Sequence, residues 1–78
     1  MEVKDISKLV GQTVKLEESA DGNGTVCYQG ELERMIVPGL YRICNPFVID
    51  SNGNVYRDVG GWKSVSKKDY KEGRLVLV

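Results

Sequence analysis

The chain has 78 residues, enough for one domain near the lower size at which a hydrophobic core supports folding without staples, and too few for two. Its 41% hydrophobic and 28% charged residues belong to a folding globular chain and exclude the low-hydrophobicity, high-charge composition of disordered segments. Eleven Lys and Arg balance eleven Asp and Glu, which removes the global attraction expected of a dedicated nucleic-acid or membrane-surface protein.

That balance is uneven along the chain. Residues 1–33 carry three lysines against seven carboxylates, a net −4, and residues 34–78 carry eight basic groups against four carboxylates, a net +4. No run approaches the roughly 18 apolar residues of a membrane span, and Met1-Glu2-Val3-Lys4-Asp5 lacks the basic and apolar regions of a secretory signal. A cytoplasmic location without membrane contact is therefore expected. Cys27 and Cys44 are too few for a disulfide scaffold and read as reduced thiols.

In chain order, Asp5 stands as an N-cap before Ile6, Leu9 and Val10 at helical spacing, with Gly11 to end a short helical lid. From Gln12 to Glu18 the period changes to two, with Val14 and Leu16 on one face of a half-buried strand. Ala20-Asp21-Gly22-Asn23-Gly24 has the residues of a reversing turn. Thr25 to Val37 then alternates as a long strand, placing Val26, Tyr28, Leu32 and Ile36 together, with Gly30 as a bulge or a close backbone approach.

Pro38-Gly39 marks a turn before Leu40–Cys44, and Pro46 an edge or break before Phe47-Val48-Ile49. Asn52-Gly53 between Ile49 and Val55 predicts a hairpin with a tight type I′ turn. After Gly60-Gly61 come Trp62 and Val65, then a helical turn over 66–71 opened by Ser66 and Asp69 in an acidic capping box and closed by Gly73. Arg74–Val78 is an apolar strand expected to need cover on both faces.

The expected fold is a single domain over residues 1–78, mainly β: a small bent antiparallel sheet or barrel of five to six short strands, with a short N-terminal helical turn and a second near residues 66–71. The run Leu9-Val10-Gly11-Gln12-Thr13-Val14-Lys15-Leu16, with Gly30-Glu31-Leu32 after the turn, resembles the start of SH3-like and Sm-like small barrels. The resemblance covers about the first third of the chain and implies a fold group. The RNA-binding Asp and Asn positions of Sm-like proteins and the aromatic groove of SH3 domains have no counterpart in this sequence, so no binding residue is carried over.

The chain has no histidine, so Ser-His and Cys-His nucleophilic catalysis cannot be assembled within it. Cys27 and Cys44 lack zinc-site spacing, and no metal or other cofactor is expected. Glu31 and Glu33 share a strand face and read as a solvated surface rather than a catalytic pair. Asp50-Ser51-Asn52-Gly53-Asn54 imitates part of a calcium loop, but counting on from Asp50 places Gly61 where the EF-hand needs a glutamate.

The best candidate surface is the stretch from Tyr56 to Lys71, with Tyr56, Arg57, Trp62, Lys63, Lys67, Lys68 and Lys71, approached by Tyr41 and Arg42 from a neighbouring strand. Aromatic and basic groups so interleaved stack on rings, pair with anions and anchor protein interfaces. A single tryptophan in so small a domain is also a natural core residue, so its exposure decides between the two. The expected function is a non-enzymatic binding module, a protein-interaction domain or small inhibitor docking on a larger partner. The alternative is a binder of single-stranded nucleic acid or a small anionic ligand. Self-association is a further expectation, since the acidic first half of one copy can face the basic second half of another.

Overall fold

The computed structural model describes residues 5–20 and 24–78. Residues 1–4, on which the expectation about a secretory signal rests, and residues 21–23, with the centre of the first expected turn, lie outside the described residues.

The fold is mainly β, a small antiparallel sheet of seven strands. A 3-10 turn, Ile6–Leu9, is capped by the Asp5 side chain, which accepts from the Ser7 N–H, and it drives Ile6 and Leu9 into the core. Strand β1 (Thr13–Ala20) pairs along its whole length with β2 (Gly24–Arg34), Thr13 opposite Glu31 and Ala20 opposite Gly24. On its other side β2 changes partner. Cys27–Gln29 pair with β4 (Phe47–Ile49) and Leu32–Arg34 pair with β3 (Leu40–Cys44).

Gly30 stands where the partner changes. A Cβ there would lie 2.7 Å from Ile43 Cγ2, so the absence of a side chain lets β3 come against β2. It is a close approach and not a bulge, because the β1–β2 register runs through it unbroken.

Strand β5 (Val55–Arg57) pairs with β4, and β6 (Trp62–Ser66) pairs with β3, Cys44 opposite Trp62. Helix α1 (Lys67–Lys71) leads from β6 to β7 (Leu75–Leu77), which returns to pair with β1. The meander β6-β3-β2-β1-β7 is thus bent around one core, while the β4–β5 hairpin branches from the first half of β2. The sheet does not close: among the described residues no ladder joins β6 to β7.

Ile6, Leu9, Val14, Leu16, Leu32, Tyr41, Ile43, Val65 and Leu75 form the core, and Val10, Tyr28 and Tyr70 pack at its margin. Full burial of each large aliphatic side chain contributes about 1.5–3 kcal/mol. A helical bundle would need helices, and the longest here has five residues. Among the described residues no helix is long and apolar enough to cross a membrane.

Four details differ from the sequence pattern. β2 stops at Arg34, because the Met35 N–H turns to the Leu40 carbonyl (3.0 Å), and Ile36 leaves the core face for solvent. The strand β6 has only Val65 buried and a lysine on its inner face, so no clean alternation announces it. The β4–β5 hairpin forms, but its turn is not type I′: Gly53 has φ +84° while Asn52 does not have positive φ. The Asp50 carboxylate accepts from the Asn52 and Asn54 N–H groups (2.9 Å each), and its carbonyl accepts from Gly53, which holds a right-handed turn followed by one left-handed glycine. In β7 only Leu75 is covered, and Val76 and Leu77 are exposed.

Candidate functional site

Alternation along β2, β3 and β6 gives the sheet a second, outward face. Tyr41, Ile43 and Val65 point into the core, so Glu33, Arg42, Cys44 and Trp62 point away from it. Trp62 is 51% exposed, and the Arg42 guanidinium lies 6.0 Å from its ring centroid. Arg42 Nη2 is 3.7 Å from Glu33 Oε1, its register partner on β2.

The same Glu33 oxygen accepts from Cys44 Sγ at 3.5 Å. Burial, and then the neighbouring Glu33 carboxylate, push the Cys44 thiol above its ordinary range, so it stays protonated at neutral pH.

A second aromatic and arginine pair stands beside the first. The Arg57 guanidinium lies 5.1 Å from the Phe47 ring centroid across the β4–β5 register, and the ring is exposed. Phe47 and Arg57 border an open hollow of about 360 Å³ that Gln29, Glu31, Glu33 and Cys44 also line.

Asn45 sets this geometry. At φ +48°, in the left-handed region that Asn tolerates better than most side chains, it turns β3 into β4. Its N–H donates to the Gly61 carbonyl (2.9 Å), its Oδ1 accepts from the Gly60 N–H (2.7 Å), and its carbonyl accepts from Arg57 Nε (3.3 Å). One side chain and its backbone therefore clip the 58–61 connection down and hold the Arg57 guanidinium.

The structure brings Arg42, Arg57 and Trp62 to this face. The other expected residues fall elsewhere. Tyr41 is 6% exposed and belongs to the core, because it alternates with Arg42 along β3. Lys63 has the opposite parity to Trp62; its Nζ lies 2.6 Å from Glu18 Oε1 and 4.9 Å from the Tyr28 ring centroid. Tyr56 is exposed on β5, out of step with Arg57. Lys67 and Lys68 are exposed on α1, beyond the far end of β6, a strand roughly 13 Å long at the usual rise per residue. Lys68 Nζ lies 4.0 Å from Glu72 Oε2.

Phe47 and Asn45 are not singled out by the sequence, and Glu33 reads only as part of a solvated strand face with Glu31. Phe47 reads as one of three apolar strand residues, and Asn45 as a residue before proline. Only the pairing of β4 with β5 and the clip to Gly60 and Gly61 give them their positions. Among the described residues no group of three or more Cys, Asp or Glu side chains is placed to hold a metal ion. No protein-family model, no curated protein and no solved structure matches the chain.

Proposed function

We propose that this protein is a non-enzymatic interaction module that docks on a larger protein through the outward face of β3, β6 and the β4–β5 hairpin. The observation that carries the reading is Trp62, a tryptophan left half in solvent with an arginine over its ring in a domain that has no other tryptophan to bury. Trp, Tyr and Arg dominate binding hot spots because each combines a large desolvated area with a directional polar group. Phe47 and Arg57 repeat that chemistry at the border of the hollow.

The nucleic-acid reading is the weaker one. Arg42 faces Glu33, Lys63 faces Glu18 and Arg74 faces Asp69, so a phosphate backbone would have to compete with carboxylates already in place.

Affinity capture from an extract of the source cells tests the proposal, using wild type, Trp62→Ala and Lys68→Ala as baits. One protein recovered in stoichiometric amount by wild type and Lys68→Ala, and lost with Trp62→Ala, is the expected result. Recovery of nucleic acid instead, released between roughly 50 and 200 mM salt, would replace it with the alternative.

A further inference from the structure

The connection between β2 and β3 is a second surface that the outward face does not use. The last rung of the ladder pairs Arg34 with Tyr41, and the turn beyond it is held by Met35 N–H to Leu40 O (3.0 Å) and Leu40 N–H to Val37 O (3.2 Å). Its tip is Met35-Ile36-Val37-Pro38-Gly39. Ile36 is 101% exposed, so it touches almost nothing in its own chain, and Val37 is 55% exposed. Two backbone hydrogen bonds fix the turn, so these apolar side chains are presented on a preorganised projection.

The basic half of the chain supplies the rim. Arg34 and Arg42 line a hollow of about 190 Å³ with Met35, Ile36 and Val37. The Arg34 side chain has no ion-pair or hydrogen-bond partner among the described residues. Arg42 is turned to the outward face, 3.7 Å from Glu33 and 6.0 Å from the Trp62 ring centroid, and its unpartnered Nε is buried. Lys67 reaches the same turn, its Cε 3.9 Å from where a Gly39 Cβ would sit, with the Asp5 carboxylate nearby. Two exposed cations, Arg34 and Lys67, therefore flank apolar side chains that point outward.

We propose that the β2–β3 turn docks on a bilayer containing anionic phospholipid, inserting Ile36 and Val37 at the level of the acyl chains while Arg34 and Lys67 take phosphate oxygens. A fluid lipid surface closes around a convex apolar apex, whereas a protein partner would need a cleft already cut to its shape. Combining apolar insertion with basic groups is what makes interfacial anchoring stable, since either alone is weak. The neutral total charge of the chain does not oppose this, because the attraction of an anionic surface decays within a Debye length and acts on the local charges.

The test is co-sedimentation with vesicles of phosphatidylcholine containing about 30% phosphatidylserine against phosphatidylcholine alone. Wild type should partition at least tenfold better to the anionic vesicles, and added salt should reduce the difference. Arg34→Glu should weaken binding about 25-fold, at about fivefold for each unit of charge near the surface. Ile36→Ser should weaken it at least tenfold while leaving the thermal midpoint at the wild-type value, since Ile36 contributes nothing to the core. In a Trp62→Phe background, Ile36→Trp should blue-shift its emission on anionic vesicles. Equal partitioning to both vesicles, absence of binding to either, or binding unchanged by Ile36→Ser would overturn the proposal.

Discussion

At position 30 there is no room for a methyl group. The 2.7 Å separation between a Gly30 Cβ and Ile43 Cγ2 is far inside van der Waals contact, and Ile43 is fully buried and cannot swing away. Gly30→Ala should therefore cost about 1–3 kcal/mol in a urea titration, the usual penalty of overpacking. Gly53→Ala meets nothing within 4 Å and has only its φ of +84° against it, so about 1 kcal/mol is expected in the same titration. The sequence offered Gly30 as a close approach or a bulge, and only the ladder on both sides of β2 separates the two. At Cys44 the thiol is held up by burial and by Glu33. In a Cys27→Ser background, iodoacetamide should alkylate Cys44 more slowly than a free thiol at pH about 8, and Glu33→Gln should speed the reaction. An unchanged rate would remove Glu33 from the account.

Among the elements, α1 was the most legible, because its signals are local. The Ser66 hydroxyl accepts from the Asp69 N–H, and the Asp69 carboxylate accepts from the Ser66 N–H, the reciprocal pair expected from residues three apart. Ser66→Ala should cost about 1 kcal/mol. For Asp69, burial raises the pKa, but the Ser66 hydrogen bonds and the Arg74 guanidinium outweigh it and hold the carboxyl below its ordinary range. The native state then binds fewer protons than the unfolded chain near pH 4, so this stabilisation is present above the ordinary carboxylate range and is lost as pH falls through the lowered native value. The advantage of wild type over Asp69→Asn in thermal melts should be complete at neutral pH and shrink below about pH 4. The β4–β5 hairpin was visible in Asn52-Gly53 but its turn was not, since the acceptor that reshapes it, the Asp50 side chain, precedes the pair. Strand β6 was invisible because its partners are distant: Trp62 and Lys63 make sense as strand residues only opposite Cys44 and Ile43.

For the whole molecule, the open sheet is drawn together by the core and by one ion pair, Lys63 of β6 with Glu18 of β1. Both side chains retain solvent, so a double-mutant cycle with Lys63→Ala and Glu18→Ala should give a coupling of only about 0.5–1 kcal/mol. A coupling several times larger would mean that the pair, and not Leu16, Ile43 and Val65 between the strands, keeps β6 near β1. Lys63, the residue next to Trp62, does not join its face, because strand parity sends the two to opposite sides. By itself the sequence determined the β class, the helical turns, most strand segments and the lack of histidine, because periodicity, capping and composition act within a few residues. Only the tertiary structure decided the number of strands, the open sheet and the burial of Tyr41. It also decided the assembly of Arg42, Trp62, Phe47 and Arg57 on one side, since these depend on which strands pair and in what register, and residues far apart in the chain set both.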